Sequence, residues 1–312
     1  PPEPSSEASF RIIAMSDMQR DSGNPNKFDE IIHDGVIDYI SEEHSDDLAG
    51  ELAMVLVTGD LVVTGSSYYQ WQDHFFGPSK DLFSHVPLYP VFGNHEQNTD
   101  YYLKYFHLPN NGTPGYEEHW YYTDYSNLRV IGLDSNTGYG YFDYEAQLIW
   151  LETVLEDACY NVHIDFVFAQ LHHPHKSELW TPGNTSFTGD VISLLEAFTS
   201  SSGKPTVHFY GHTHGYSRGQ SKDHTHLMVN VATAGGYIDY WGAYPQADYE
   251  EYTITQDEWG YVFLEVDAGN DPKFTLKRLS LGDDVISKTN SLEDSVTIRL
   301  NNNSPNIPSG IF

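Results

Sequence analysis

The sequence predicts an α/β protein, and two patterns carry that prediction. Strand-like apolar runs alternate with helix-like segments from Phe10 to Glu96, as expected for a sheet covered by helices. In addition, the β-branched run at 54–58 ends in Gly59-Asp60. A buried strand has this form where it delivers a charged side chain to the carboxyl edge of a sheet, which is where open α/β sheets place their sites.

Each element is predicted from its own periodicity. β-branched runs indicate strands, apolar residues three and four apart indicate helices, and Ser126-Asn127 joins two runs as a hairpin. The aromatic stretch 68–76 fits either a helix packed on the core or a substrate rim, and we favour the packed helix. The predicted strands are 10–14, 54–58, 86–91, 120–125, 128–133, 164–170, 207–210, 228–232, 261–267 and 274–279, and the predicted helices are 26–39, 144–158 and 188–199.

The charge balance is strongly acidic. The 312 residues include 15 Lys and Arg against 45 Asp and Glu, which gives a formal net charge of −30. A field of that sign repels nucleic acid and anionic membrane surfaces, so a broad nucleic-acid surface is not expected. No apolar run approaches the roughly 20 residues of a membrane span. Metal ions would offset the field locally at a site.

The single cysteine, Cys159, excludes an internal disulfide framework and a multi-cysteine zinc site. We expect it to be a half-buried packing residue. The chain starts on Pro1 and Pro2 without a methionine. Residues 1–8 are therefore expected to be a flexible lead-in after a trimmed start, which a removed secretion signal would explain.

Five short pieces of the chain are rich in metal ligands. They are Ser16-Asp17-Met18-Gln19, Gly59-Asp60, Gly93-Asn94-His95-Glu96, Leu171-His172-His173-Pro174-His175 and Gly211-His212-Thr213-His214. A lone Gly-Asp most often places an aspartate that caps a helix, but the other pieces in compatible order favour a metal site. The two oxygens of Asp60 can hold two cations roughly 3.5–4 Å apart. Oxygen and imidazole donors without thiolates suit Mn, Fe or Zn better than Ca.

In this order the pieces resemble the signature of calcineurin-like metallophosphoesterases. The resemblance covers roughly residues 9–280 and extends to Trp120-Tyr121-Tyr122, to 130–135, and to Gln147 with Trp150-Leu151-Glu152. These last pieces are most similar to the secreted branch related to purple acid phosphatases. The resemblance implies two mixed β-sheets packed face to face with flanking helices, a four-layer sandwich. It also implies a catalytic domain at 9–283. The segment 284–312 ends in an Asn- and Pro-rich stretch and is predicted to be a C-terminal extension or linker.

The family pattern implies a role for each ligand-bearing residue. His95 would face the scissile phosphoester, where it protonates the leaving oxygen or stabilises charge. The implied reaction is phosphoester hydrolysis, in which a hydroxide on two divalent metals attacks phosphorus. The implied metal ligands are Asp17, Gln19, Asp60 and His214 for one ion, and Asp60, Asn94, His172 and His212 for the other.

Two positions depart from the family pattern. Gln19 stands where the first motif usually has a histidine, and an amide oxygen is a harder and weaker donor than an imidazole. We expect the first metal to be held more loosely, or to be Mn or Fe rather than Zn. The alternative is that Gln19 only hydrogen-bonds a water or a substrate oxygen. Val63 replaces the tyrosinate that colours purple acid phosphatases, so the protein should not be purple.

Several residues near the motifs are predicted to support the site or to contact substrate. Neighbours on a strand point to opposite faces, so the His-x-Pro pattern selects His172, and His173 is expected to pack or to support the site. The loops 99–119 and 175–186 flank the ligand pieces, and His175 and Tyr237 are predicted to contact substrate. Asp134 and Asn136 are candidates for supporting residues. The aromatic residues that could stack on substrate or pack the core are Tyr116, Trp120, Tyr121, Tyr237, Tyr240 and Trp241.

The substrate class stays open between phosphodiesters and phosphomonoesters. Few cations lie near the motifs, chiefly Lys104, Lys176 and Arg218, and a dianionic monoester needs more positive charge than the metals provide. Diesters are therefore favoured. A non-catalytic phosphate-binding module on a degenerate scaffold is the alternative, and a two-metal protease is disfavoured because the chain has no His-Glu-x-x-His. We expect a small phosphoester as the partner and a secreted or periplasmic location; the sequence gives no oligomeric state.

Overall fold

Two β-sheets occupy the centre of the computed structural model, which describes residues 2, 4, 8–136, 143–221 and 223–300. The strands in chain order are β1 (Phe10–Met15), β2 (Leu52–Val57), β3 (Leu88–Pro90), β4 (Tyr121–Tyr125), β5 (Leu128–Gly132), β6 (Phe166–Gln170), β7 (Thr206–Tyr210), β8 (Tyr216–Gln220), β9 (His226–Val231), β10 (Tyr252–Gln256), β11 (Trp259–Asp267), β12 (Lys273–Gly282) and β13 (Ser287–Arg299). The first sheet has the order β13-β12-β11-β1-β2-β3, and the second has the order β10-β8-β9-β7-β6-β5-β4.

Both sheets combine parallel and antiparallel pairs. β1, β2 and β3 run parallel in the first sheet, and β5, β6, β7 and β9 run parallel in the second. The remaining neighbours pair antiparallel, among them the predicted hairpin β4–β5. The parallel strands lie side by side, so their carboxyl ends form one edge in each sheet.

The two sheets pack face to face because the central strands are apolar on both sides. In β1, Ile12 and Ala14 enter the core between the sheets, whereas Ile13 and Met15 face the helices on the outside. This is the two-residue alternation of a strand that is buried on both faces. Phe168 on β6 and Phe274 on β12 meet across the inner core with their ring centroids 5.1 Å apart.

Helices cover the outer face of each sheet. Two long helical stretches, at 27–43 and 68–83, pack on the first sheet, and two helices pack on the second. The predicted four-layer arrangement of two mixed sheets with flanking helices is therefore confirmed. The helical segments are Lys27–Glu30, Ile31–Ile37 (π-helical), Asp38–Glu43, Leu48–Glu51, Tyr68–Gln70, Trp71–Phe76 (π-helical), Gly77–Phe83, Asp100–Tyr105, Tyr144–Tyr160, Thr181–Gly183 and Ser186–Ser202.

The aromatic stretch 68–76 lies in the second of these helical stretches. Trp71 and Phe75 are buried in the core, while Tyr68 and Tyr69 are exposed. The packed-helix interpretation is therefore confirmed. None of the helices within the described residues is long and apolar enough to cross a membrane.

The C-terminal segment differs from the prediction. Within 284–312, which we predicted to be an extension or linker, residues 287–299 form β13 and pair with β12 from Lys273↔Arg299 to Gly282↔Ser287. No residue of β13 is fully buried, so its sequence lacks the apolar run that marks a strand. Residues 301–312 lie outside the described part of the chain. The domain boundaries at 1–8 and 9–283 stay predictions.

Candidate metal centre

Five parallel strands bring the ligand-bearing loops together. β1, β2 and β3 of the first sheet, and β6 and β7 of the second, are each followed within a few residues by one of the five predicted pieces. Loops that are far apart in sequence become neighbours because carboxyl ends of parallel strands share an edge. Contacts of their side chains, rings or backbone join all seven predicted ligands in one cluster: Asp17, Gln19, Asp60, Asn94, His172, His212 and His214.

The backbone turns sharply at three of these residues. Asp17, Asp60 and His212 have φ angles of 58°, 55° and 70°. A residue with a side chain rarely adopts this left-handed region, and it persists there only when the surroundings impose it. Glycines beside the ligands leave the necessary room: a Cβ at Gly93 would lie 2.1 Å from Asp60 Oδ1, and one at Gly211 would lie 2.4 Å from Asp17 Oδ2.

The first group of ligands surrounds Asp17. His214 Nε2 lies 3.1 Å from Asp17 Oδ1 and 3.1 Å from the amide nitrogen of Gln19. The other ring nitrogen of His214 is 2.6 Å from the carbonyl of Tyr237, to which it donates. Nε2 is therefore the ring atom that faces Asp17 and Gln19.

The second group surrounds Asp60. His172 Nε2 lies 3.2 Å from Asp60 Oδ2 and 3.0 Å from Asn94 Oδ1, while its Nδ1 donates to the carbonyl of Thr58 at 2.8 Å. Asp60 also reaches the first group, because Gln19 Nε2 lies 3.4 Å from Asp60 Oδ2. Asp60 therefore stands between the two groups.

These donors fit divalent cations. With the Nδ1 protons of His172 and His214 committed to carbonyls, their Nε2 atoms are the ones that could bind a cation beside the carboxylate and amide oxygens. Gln19 Oε1 is buried and has no hydrogen-bond partner. One ligand atom each from Asp17, Asp60 and His172 lies within 4.8 Å of the others, and the same holds for His172, His173 and His212. Such a mixed oxygen and nitrogen set suits Mn, Fe or Zn.

The acids and imidazoles form two buried charge pairs. Burial disfavours charge on His172 and His214, but Asp60 and Asp17 outweigh it and raise the pKa of each imidazole to about 9. Burial alone would raise the pKa of the Asp17 and Asp60 carboxyls, yet the neighbouring imidazoles lower it below the usual range. The carboxylates therefore stay ionised and attract cations, which would replace the protons on the imidazoles.

His95 sits beside this cluster rather than inside it. Its Nδ1 donates to the carbonyl of Val63 at 2.6 Å, and its Nε2 lies 3.8 Å from Asp60 Oδ2. The side chain is 35% exposed and lines the cleft above the cluster. A half-exposed ring nitrogen beside the ligands is in a position to reach a bound ester. The catalytic role of His95 stays a prediction.

Glu96 has a structural role that the sequence analysis missed. Its carboxylate is fully buried and accepts the backbone N–H groups of Asp60, Leu61 and Gly93 at 2.9, 2.8 and 2.7 Å. These bonds tie the loop after β2 to the loop after β3. Burial and the charge of Asp60 raise the pKa of Glu96 to about 7, against the effect of the N–H groups. The Gly-Asn-His-Glu motif contained this residue, but its role depends on a contact between two loops.

Residues after β5 support the second group. Asn136 donates its side-chain N–H to the carbonyl of Gly93 at 2.7 Å, and Asp134 Oδ1 accepts the backbone N–H of Asn136 at 2.9 Å. The hydroxyl of Ser135 accepts the backbone N–H of His173 at 2.9 Å and lies 2.9 Å from its Nδ1. These contacts hold the loops and place His173 beside the metal ligands. They agree with the supporting role predicted for Asp134 and Asn136.

A cleft of about 300 Å³ opens over the ligands. It is lined by Asp60, Asn94, His95, Trp180, His212, His214, Asp239 and Tyr244. Trp180 belongs to the loop 175–186 that was predicted to contact substrate. Asp239 and Tyr244 come from a later loop whose sequence carries no metal motif. Among the residues that the structure describes, the lining contains no Lys or Arg.

The two residues predicted to contact substrate, His175 and Tyr237, do not line the cleft with their side chains. His175 lines a separate cavity with Lys176 and Ile192, and its Nδ1 lies 3.2 Å from the carbonyl of Thr185. The structure therefore does not bring His175 to the cleft, because the chain turns away after Pro174. Tyr237 gives its carbonyl to His214, and its side chain is half exposed without lining the cleft. Trp120 and Tyr121 are buried in the core.

Sequence comparison identifies the family. The profile of the family described as calcineurin-like phosphoesterase matches residues 10–216, a span from the first strand to the start of β8. This chain belongs to that family. No curated protein matches the chain in sequence.

Solved structures share the fold of this phosphoesterase at low sequence identity. GAP50 of Plasmodium, described as the anchor in the inner membrane complex, is 14% identical with a TM-score of 0.68, over 95% of this chain and 90% of that one. Purple acid phosphatase PPD1 from yellow lupin (Lupinus luteus) seeds is 17% identical with a TM-score of 0.68, over 96% and 55%. PhoD is 10% identical with a TM-score of 0.65, over 96% and 71%. These similarities establish the fold alone.

Proposed function

We propose that this phosphoesterase is a metal-dependent hydrolase that prefers phosphodiesters to phosphomonoesters. One observation carries the proposal: seven oxygen and nitrogen donors converge under a cleft whose lining, as far as the structure describes the chain, has no Lys or Arg. Bound metals would be the source of positive charge for the phosphoryl group. A diester brings one negative charge and a monoester up to two, so the diester matches this cleft better.

The basic residues nearest the motifs support this preference because each is paired elsewhere. Lys104 pairs with Asp100 at 3.3 Å, Lys176 with Glu251 at 2.5 Å, and Arg218 with Asp294 at 2.5 Å. The exposed Arg20 lines a different cavity, together with the carboxylates of Asp29 and Asp73.

The ligand assignment follows the two groups of side chains. One ion would be held by Asp17, Gln19, Asp60 and His214, and the other by Asp60, Asn94, His172 and His212. Two bound ions would supply the Lewis acidity that lowers the pKa of water towards about 7 and would neutralise phosphoryl charge. The amide donor of Gln19 favours Mn or Fe over Zn in the first group.

His95 is proposed as the general acid. Its Nδ1 is committed to the Val63 carbonyl, so Nε2 is the atom that can carry a proton into the cleft. In the reaction one P–O ester bond breaks and a water oxygen forms a new P–O bond, releasing a proton to solvent that later restores the one His95 gives up. The departing oxygen takes a proton from His95, and the products are a phosphomonoester and an alcohol.

We further propose that the protein belongs to the branch related to purple acid phosphatases, is secreted or periplasmic, and acts on a small phosphoester. The lupin phosphatase shares its fold. Val63 occupies the tyrosinate position and contributes only its carbonyl, to His95. The iron-loaded protein should therefore lack the visible tyrosinate absorption band, which an absorption spectrum tests.

Metal analysis combined with a substrate panel tests the proposed function. We expect close to two divalent ions per chain, loss of activity with a chelator, and higher kcat/KM on alkyl nitrophenyl phosphodiesters than on nitrophenyl phosphate. Unchanged turnover in excess chelator would exclude the metal mechanism. Two bound ions with no hydrolysis of either ester would instead favour a non-catalytic phosphate-binding module. A protein of this fold is described as an anchor, so the fold alone does not decide between these outcomes.

A further inference from the structure

We propose that Trp180, Tyr244 and Asp239 form a subsite for a positively charged arm of the phosphodiester, of the choline-like ammonium class. The inference rests on the proposed function, because it names the alcohol that the ester carries. The three residues line the cleft together with Asp60 and His95. They are not among the predicted metal ligands.

The chemistry of these side chains suits a cation. Trp180 and Tyr244 offer aromatic faces, which attract ammonium groups and are the usual means of recognising quaternary ammonium ligands. Asp239 adds a carboxylate to a cleft that must already accept an anionic phosphoryl group. A carboxylate beside an anionic substrate is unfavourable unless the same substrate carries a positive charge to meet it. A zwitterionic diester satisfies both requirements.

Asp239 is held firmly at the rim of the metal centre. Its Oδ2 accepts the backbone N–H of His214 at 2.8 Å, and the backbone N–H of Asp239 donates to the His214 carbonyl at 2.8 Å. These two hydrogen bonds fix the Asp239 carboxylate beside His214, next to the predicted metal ligands. Asp239 is only partly buried, so it remains accessible from the cleft.

The two aromatic residues stand on loops that are bonded to one another. The buried side chain of Glu178 accepts the backbone N–H of Tyr249 at 2.8 Å. The backbone carbonyl of Glu178 accepts the backbone N–H of Ala247 at 3.1 Å. The backbone N–H of Thr181 donates to the carbonyl of Pro245 at 3.0 Å. These bonds flank Trp180 on one loop and directly follow Tyr244 on the other, so the two aromatic residues are positioned before substrate arrives. The Trp180 ring centroid lies 5.2 Å from that of His212.

An internal competition between two diesters tests the subsite. One is methyl choline phosphate, a zwitterion, and the other is its isostere with an uncharged arm, in which a tert-butyl group replaces the trimethylammonium group and the phosphate keeps its negative charge. Either ester bond can break in each compound, and phosphorus NMR follows both in one tube. The ratio of their consumption is the ratio of kcat/KM values. We expect at least about a tenfold preference for the choline ester, which corresponds to about 1.4 kcal/mol.

Asp239→Asn should reduce this ratio severalfold, because asparagine keeps an acceptor for the His214 N–H and removes the charge, while the aromatic side chains remain. Trp180→Leu should reduce it as well. Asp248→Asn is the matched control: Asp248 is exposed on the same loop and does not line the cleft, so its loss should leave the ratio unchanged. Metal content of each variant is measured alongside.

The outcomes separate this inference from the proposed function. Equal consumption of the two esters by the wild-type protein, or loss of metal in Asp239→Asn, would overturn the subsite and leave the hydrolase proposal standing. If neither ester is cleaved, the nitrophenyl ester panel decides the hydrolase proposal, and binding decides the subsite. Saturation-transfer NMR of tetramethylammonium in the presence of chelator should then show binding to the wild type that is weaker in Asp239→Asn. No signal, or an equal signal in both, would overturn the subsite.

Discussion

Two pairs of histidines in the second sheet and its loops are in opposite charge states, although three of the four are buried and His214 is only 18% exposed. His172 and His214 follow β6 and β7 at the carboxyl edge, and Asp60 and Asp17 raise their pKa to about 9. His208 and His226 lie inside β7 and β9, where burial lowers the pKa of both, for His226 to about 3. All four rings are in the same part of the molecule, so burial alone does not explain the difference.

The neighbouring groups explain it. His226 Nε2 lies 2.9 Å from His208 Nδ1, and the other nitrogen of His226 is 2.7 Å from the Thr206 hydroxyl. This chain of neutral hydrogen bonds contains no carboxylate, so it stabilises uncharged rings. A buried histidine inside a strand therefore packs, whereas one just past the strand end meets an aspartate from another loop and becomes a candidate ligand.

Asp60→Asn should have the largest effect, since it removes the carboxylate that distinguishes His172 from His226. We expect kcat of Asp60→Asn to fall by more than about 10³-fold, with loss of bound metal. For Gln19→Ala we expect kcat to fall by only roughly 10–100-fold, as is typical when a weaker supporting contact is lost. Measured kcat and metal content of the two variants check this ranking. A larger loss in Gln19→Ala would show that Asp60 does not join the two groups of ligands.

His95→Asn sharpens the comparison because His95 is half exposed and belongs to neither pair. Metal content should stay near two, and kcat should fall by roughly the 10²–10⁴-fold expected of a general acid. The loss should be greater on an alkyl ester than on a nitrophenyl ester, since nitrophenolate leaves without a proton. Equal losses on matched esters would discard the general-acid role, and loss of metal would make His95 a ligand.

The neutral pair should make the fold sensitive to acid. The pKa of His226 is about 3 in the folded protein and about 6.5 in the unfolded chain. Between these two pKa values the unfolded chain binds a proton on His226 that the folded protein does not. The free energy of unfolding therefore has its full value above about pH 6.5 and falls by up to about 1.4 kcal/mol per pH unit as the pH drops below it. Urea unfolding of His226→Gln should show a shallower acid slope than the wild type. His163→Gln, which changes an exposed histidine, should keep the wild-type slope.

The charged pair should give the smallest signal, a release of protons on metal binding. With a pKa of about 9 each, His172 and His214 each carry a second ring proton at neutral pH in the metal-free protein. Loading should therefore release about two protons. Titration calorimetry in buffers of different ionisation enthalpy measures this number, and His208→Gln should not change it. Release of none would mean that the edge histidines are neutral like the strand pair.

Several features of the fold and the site could be read from local sequence patterns. The strand and helix periods gave the α/β class, the hairpin at Ser126-Asn127 and the helix now observed as Tyr144–Tyr160. The order of the five motifs indicated the family and the seven residues that the structure brings together. Helical and strand spacing and motif chemistry are properties of short segments, so they are visible without contacts.

Other features required the tertiary structure, because they depend on loops that are distant in sequence. Glu96 acts on the loop after Asp60, Asp239 reaches the cleft from beside His214, and His175 turns into another cavity. β13 has no buried side chain and is defined by its pairing with β12. The chain alone determined which residues can bind a metal. Only the packing of the two sheets decided which of its histidines meet a carboxylate, because that charge comes from a different loop and acts over a few ångströms.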